Sequence, residues 1–494
     1  MPTLSLRDGK AGRFFSRSHD GETTRAVATP LPRDARRELL LISLLFLAFR
    51  GTAAAWFQPL YSEPRAYFFP LFHLGSVGYW PFWSYWLEYP PVLAYYLVAV
   101  RWVALLVAGT GFAGGAAASI VWQRECFVRA VQIASVLCEL GVLWLVYGQA
   151  RRLRGPGSAA RACLIYMVLF STGFVALSYT DMLPILLMLW GLALAADSRP
   201  VRGAFVLAVG FMAKVLPIAM LPAVLKGEMR WRRRLLVLAA FALVSVASVA
   251  PFLPTRAQWL RCMLESMTNR PPWETVWALV DGRYDFGYVG PGRDDQTPAF
   301  FARFGVAPGV RETLDALPPE VFGQHPVQRQ TVYYRVASRF APTLAYMDSK
   351  PRTGARFWWI YGGAGAVVVA FFLATFARMP AVLPPRRQLA LGAFTLILML
   401  FYLKGWSPQF AAYLIPLLLI VFPPTEGGLW ALGLTLTAFF EMPVWCAWVH
   451  PLAATGASSW AVALDHPMLQ AVILTRTAIL IVVLARLYPR LFRD

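Results

Sequence analysis

The chain has 494 residues, of which 58% are hydrophobic and only 15% charged, and its mean hydropathy is +0.53. Soluble globular chains are roughly a quarter charged, so too few polar groups are present to coat a water-exposed surface, and a soluble fold is excluded. The net charge of +20 does not signal a nucleic-acid partner, because most basic residues stand in short runs beside apolar segments, as the positive-inside rule describes.

The first 37 residues carry eight basic side chains against four acidic ones and are expected to form a disordered cytoplasmic arm, not a signal peptide. Residues 38–494 are then one polytopic membrane domain. A span needs roughly 20 apolar residues. Candidates are 39–57, 127–149, 162–178, 182–197, 235–253, 357–378, 388–403, 409–423, 428–449 and 468–488. Two more apolar segments, 91–112 and 203–225, are interrupted by Arg101 and by Lys214 with Pro217. The fold class is therefore an all-α integral membrane bundle of about 10–13 membrane helices.

Charge placement threads these segments. If neither interrupted segment crosses, the basic stretches 151–161, 199–202, 226–234, 378–387 and 486–493 all fall on one side, with the N-terminus. Segment 91–112 is then expected to lie along or dip into the outer face of the cell membrane, and 203–225 to be a broken, re-entrant pair of short helices. The non-cytoplasmic pieces are a first outer loop, 58–126, a cap loop, 254–356, and a short turn from Lys404 to Gln409. The cap loop has ten acids and thirteen bases and is expected to contain helices. No internal repeat is visible, which counts against an inverted-repeat transporter.

The first outer loop holds twelve aromatic residues between Tyr61 and Tyr89, one base, Arg65, and two acids, Glu63 and Glu88. An interfacial aromatic belt explains the Trp and Tyr. It does not explain two lone carboxylates in an apolar loop, where desolvation suits a general base. Cys138, Cys163 and Cys446 lie in apolar segments and no CxxC occurs, so a cysteine metal site is not expected. His73, His325, His450 and His466 lack ligand spacing. Asp281, Asp285, Asp294 and Asp295 could hold a divalent cation, though a solvated loop explains them as well.

At Trp86-Leu87-Glu88-Tyr89-Pro90-Pro91 the chain resembles the aromatic-acidic-Tyr-Pro-Pro segment of GT-C glycosyltransferases, multispan enzymes that take sugars from polyprenyl-phosphate donors. It is most similar to their dolichyl-phosphate-glucose glucosyltransferases and bacterial polyprenyl-phosphate-mannose mannosyltransferases. Three further stretches agree in order along the chain. Tyr179-Thr180-Asp181-Met182-Leu183-Pro184 resembles the family's polar turn opening a membrane helix. Gly203 to Pro222, with Lys214 and Pro217, resembles its Gly-rich helix followed by Lys-x-x-Pro. Lys404 to Pro416 resembles its Ser-Pro-Gln-aromatic segment.

The resemblance implies that an early acid of the first outer loop is the catalytic base. Glu63, with Tyr67 four residues on, stands where the family usually has Asp, and Glu88 matches the second acidic position. It also places Arg65, Tyr67, Tyr89, Asp181, Lys214, Lys404, Ser407 and Gln409 in the substrate-binding set. Displacement at an anomeric carbon needs a base for the acceptor hydroxyl and cations for the departing phosphate. Lys404, Arg50 and Arg476 are candidate phosphate partners, with snorkelling the alternative for the two arginines. The expected activity is inverting transfer of a hexose, mannose or glucose foremost, to a glycan, lipid or protein acceptor outside the cytoplasm. The alternative is a transporter or flippase of a lipid-linked glycan. No cofactor is implied beyond the polyprenyl-phosphate sugar as co-substrate.

Overall fold

A computed structural model describes residues 32–56, 62–85, 87, 89–109, 119–228, 230–253, 272–281, 306–322, 332, 355–444 and 467–492. Glu88, the side chain of Tyr67, most of the basic arm, and much of the 254–356 loop, including Asp285, Asp294 and Asp295, lie outside them. Among the described residues the fold is helical, with two isolated bridges, Pro81 to Tyr85 and Trp273 to Gly405.

In chain order the helices are α1 (Arg33–Trp56), α2 (Phe69–Ser76), α3 (Pro91–Gly109), α4 (Ile120–Arg154), α5 (Pro156–Val168), α6 (Phe170–Ser178), α7 (Met182–Ala196), α8 (Pro200–Phe211), α9 (Leu221–Lys226) and α10 (Trp231–Val249). Then come the short α11 (Val276–Asp281) and α12 (Val310–Asp315), followed by α13 (Ala355–Arg378), α14 (Pro385–Tyr402), α15 (Phe410–Val421), α16 (Pro424–Phe439) and α17 (Pro467–Leu487). Among the described residues seven helical stretches are long and apolar enough to cross a membrane, or eight if α5 and α6, bent by 56° at Leu169, form one span. The chain is thus a multi-pass membrane protein. Helices α7, α8 and α15 are apolar but have 15, 12 and 12 residues. At 1.5 Å per residue they reach only about 18–23 Å of a roughly 30 Å hydrocarbon core.

A helix apolar on every side must be enclosed by others, and α15 is such a helix. Every residue from Ala411 to Val421 is buried, and α14 beside it is buried over most of its length. The outer helices show the reverse, with Leu243 and Val246 of α10 and Trp359 and Val367 of α13 exposed, as lipid-facing residues are.

The basic stretches meet at one end. There Arg151 at the end of α4 is 3.7 Å from Glu38 at the start of α1, and Arg152 pairs with Asp197 after α7. Lys226 donates to the Met379 carbonyl after α13 at 3.2 Å. Arg486 and Arg490 hold Glu426, at the start of α16, at 3.1 and 2.8 Å. This is the clustering that charge placement predicts.

Two interrupted segments behave differently. Helix α3 is one of the seven long apolar helices, although it was expected along the outer face. It begins with the Val92 amide donating to the Met212 carbonyl at 3.1 Å, and its Arg101 reaches Gln123 near the start of α4. Because α1 starts and α4 finishes at the basic end, everything between them begins and ends at the opposite end. The described residues of the first outer segment are thus largely helical, and the segment starts and ends opposite the basic loops. The 203–225 segment rises in α8, breaks at Met212–Val215, and returns through a 3-10 turn, Leu216–Met220, into α9. Pro217 lacks the amide that would continue the helix. Its two ends lie at Asp197 and Lys226, so it is a re-entrant hairpin with Lys214 at its tip.

Candidate functional site

The tip of that hairpin is where the sequence-predicted residues meet. Asp181 closes the turn between α6 and α7, at the position where Asp usually caps a helix. Its side chain caps nothing. Oδ1 instead accepts from Lys214 Nζ at 2.5 Å and from the Tyr413 hydroxyl at 2.8 Å. Asp181 is 1% exposed, and its Oδ2 has no protein partner. The neighbouring Ser178 and Thr180 hydroxyls are also buried without one. Buried polar atoms are nearly always hydrogen-bonded, so three orphan oxygens in one turn mark a place prepared for another polar group.

Lys214 links this turn to the first outer segment. Its Nζ lies 5.6 Å from the centroid of the Tyr89 ring and 6.0 Å from that of Phe410, within cation–π range. The Tyr89 hydroxyl points to Glu63 Oε1 at 3.4 Å, and Phe68 packs edge-on against the same ring. Glu63 is 5% exposed and stands just before a π-helical turn, Pro64–Phe68. Five side chains, Glu63, Tyr89, Asp181, Lys214 and Tyr413, therefore form a continuous polar path at the end of the bundle away from the basic loops. It contains two carboxylates, an ammonium and two phenols, walled by aromatic rings.

Other candidates are placed differently. Arg65 is turned to the start of α4, where it meets Glu125 at 2.5 Å. Lys404 Nζ stands over the Trp358 ring at 5.0 Å, and the Ser407 hydroxyl donates to Gln409 Oε1 at 2.5 Å. These three lie on the turn leading into α15, whose first residue, Phe410, borders the path. Arg50 and Arg476 do not snorkel. Each is 2% exposed and held in an ion pair, Arg50 with Glu139 at 2.7 Å and Arg476 with Glu441 at 2.5 Å. A guanidinium so engaged is a poor phosphate partner, which corrects that expectation. Among the described residues no group of three His, Cys, Asp or Glu could hold a metal ion.

Two titratable groups of the first outer segment show its dryness. Burial, helped by the neighbouring Arg101 guanidinium, lowers the His73 pKa to about 4. Burial also raises the Tyr85 hydroxyl well above its usual range, and that hydroxyl donates to the Leu71 carbonyl at 2.6 Å.

Sequence reading missed Tyr413. A tyrosine three residues into an apolar helix looks like packing, and its partner is 232 residues away. The acidic partners of the intramembrane arginines, Glu139 and Glu441, were missed too, although lone acids in apolar runs are themselves the signal.

Neither a protein-family model nor a curated protein sequence matches the chain. Among solved structures it is similar to the oligosaccharyltransferase AglB from Archaeoglobus fulgidus in complex with an inhibitory peptide and a dolichol-phosphate. That match has TM-score 0.37 and 14% identity, over 92% of this chain and 56% of that one. The present chain therefore spans little more than half the length of that protein. It is also similar to ArnT from Cupriavidus metallidurans in the apo state, with TM-score 0.34 and 16% identity, over 89% of this chain and 78% of that one. At these scores the likeness decides nothing about what this chain does.

Proposed function

We propose that the chain is a GT-C-type membrane glycosyltransferase. It would move a hexose, mannose or glucose foremost, from a polyprenyl-phosphate donor to an acceptor on the non-cytoplasmic side. The observation that carries this reading is the path from Glu63 through Tyr89 and Lys214 to Asp181 and Tyr413. It brings an acid of the first outer segment and a paired lysine to one aromatic-walled place at the end opposite the basic loops. The four stretches of sequence resemblance support it as well, and each of them contributes a residue to that path.

In this reading Glu63 takes the proton of the acceptor hydroxyl as that oxygen bonds to the anomeric carbon. The bond from that carbon to the phosphate oxygen breaks on the opposite face, inverting the centre, and polyprenyl phosphate leaves with the electron pair. Lys214, paired with Asp181, and Lys404 stabilise the departing phosphate. Glu88 orients the acceptor. Tyr67, Tyr89, Ser407 and Gln409 complete the binding surface, while Arg65, turned to Glu125, stands beside it.

The test is Glu63→Gln in purified, lipid-reconstituted protein, with released polyprenyl phosphate as the readout. Glutamine keeps size and hydrogen bonding but cannot take the proton, so turnover falls by about 10²–10⁴-fold while the protein stays folded. Glu88→Gln gives a smaller loss or weaker acceptor binding. Full activity in both variants would remove the first outer segment from catalysis.

One observation favours a transporter or flippase of lipid-linked glycan: charged pairs are buried at three places in the bundle, as conduction pathways often show. Movement of a glycolipid across vesicles without donor, and no release of polyprenyl phosphate with any donor, would establish it instead.

A further inference from the structure

The transfer reading leaves Arg476 unused, and its surroundings give it a task. Arg476 is in the middle of α17 and is 2% exposed. Its Nη1 donates to Glu441 Oε2 at 2.5 Å, its Nη2 donates to the backbone carbonyl of Glu274, and its guanidinium lies 4.3 Å from the centroid of the Trp406 ring. A planar fork with several fixed donors can serve a carboxylate, a carbonyl and an aromatic face at once, which an ammonium cannot. The three contacts fall on three separate parts of the chain: the π-helical turn after α16, the 272–281 segment, and the turn between α14 and α15.

The last two parts are themselves stitched together. The Trp273 amide and the Thr275 hydroxyl both donate to the Lys404 carbonyl, at 3.0 and 2.9 Å, and the Trp406 amide donates back to the Trp273 carbonyl at 3.2 Å. Gly405 makes this possible, since a Cβ there would stand 2.0 Å from the Trp273 indole. Glu274 takes a left-handed backbone conformation, φ 51°, which a residue with a side chain adopts only when its surroundings enforce it. In that conformation its carbonyl meets Arg476.

We infer that Arg476 is a positioning residue that fixes the Lys404–Gln409 turn from behind, and so sets where Lys404 meets the phosphate of a polyprenyl-phosphate ligand. The choice of ligand rests on the transferase reading; the pin itself does not. The paired Glu441 holds the guanidinium in its aim, and the Glu274 carbonyl and Trp406 ring transmit its position to the turn.

Two variants test this. Arg476→Lys keeps a charge for Glu441 but loses the fork and the flat face. Arg476→Met with Glu441→Met removes both members of the pair, so neither is left buried without the other. Hydrogen exchange at the Trp273 and Trp406 amides reads the pin. Binding of polyprenyl phosphate, against the uncharged polyprenol as control, in lipid nanodiscs reads the consequence. Exchange at both amides is expected to rise in both variants, and polyprenyl phosphate to bind on the order of tenfold more weakly with polyprenol unchanged. Unaltered exchange in a folded variant would overturn the inference. Raised exchange with undiminished polyprenyl-phosphate binding would overturn it equally. If the wild-type protein shows no preference for polyprenyl phosphate over polyprenol, raised exchange still supports the pin, and it is the donor assignment that falls.

Discussion

At the scale of single residues, the dry interior of the first outer segment has a measurable signature in His73. Its Nδ1 lies 3.3 Å from Arg101 Nη2, and its folded pKa of about 4 is below the ordinary 6.5. Between those values the unfolded chain binds more protons than the folded one, so stability rises with pH across that window. The contribution is complete above pH 6.5 and is lost as pH falls toward 4. Thermal unfolding in detergent should show the gap between wild type and His73→Gln shrinking over that range; a constant gap would remove His73 as its source. Glu63 and Lys214 were legible as candidates because an ionisable group in an apolar stretch stands out, and Tyr89 and Asp181 because they stand in stretches that resemble the GT-C family's. Their partnerships were not. Lys214 and Asp181 are 33 residues apart, and Asp181 and Tyr413 232 apart, and nothing in local sequence couples positions so distant.

At the scale of elements, the site depends on how closely α7 and α8 approach, since one carries Asp181 at its start and the other leads to Lys214. Gly191 and Gly203 face each other across that contact. A Cβ on Gly203 would stand 2.5 Å from the Gly191 carbonyl oxygen and 3.2 Å from the Ala195 amide nitrogen. Backbone cannot step aside as a side chain can, so Gly203→Ala must push the helices apart. Overpacking of this kind costs about 1–3 kcal/mol, and a melting temperature lower by several degrees is expected together with reduced turnover. Gly148→Ala on α4, where a Cβ meets nothing within 4 Å, is the matched control and should leave both unchanged. Equal behaviour of the two variants would show that the close approach does not matter. The placement of the basic loops, with Lys214 and Pro217 interrupting the segment, was enough to foresee a broken hairpin at 203–225. These signals did not separate full spans from half-length legs such as α15, whose 12 residues are bounded by Pro408 before and Pro423-Pro424 after.

At the scale of the whole molecule, the gathering of basic loops at one end carries a prediction about the membrane. We propose that this end, with the N-terminus, is cytoplasmic, as positive-inside bias requires. Single cysteines replacing Arg152, Arg232 and Arg386 should then be labelled from the cytoplasmic side, and one replacing Ser407 only from outside. Opposite exposure of Arg232 and Arg386 would defeat the re-entrant reading of α8 and α9. Overall topology was legible because loop charge is local and survives any packing arrangement. How the legs nest around α14 and α15 was not, since that follows from side-chain contacts between distant segments.

The pairing of Arg50 with Glu139, completed by the Thr172 hydroxyl at 2.8 Å, also has a consequence in time. The two charged partners are 89 residues apart. At synthesis rates of about 5–20 residues per second, α1 waits roughly 4–18 s before its counter-ion emerges from the ribosome. During that interval a lone arginine in an apolar helix faces an insertion penalty of about 2.5–3.5 kcal/mol. Release of α1 into lipid is therefore expected to wait for the arrival of α4, so that the two helices leave the insertion machinery together. Crosslinks from α1 to the insertion machinery that persist until residues near Glu139 have emerged, and then vanish, are the expected record; loss of those crosslinks earlier would contradict it.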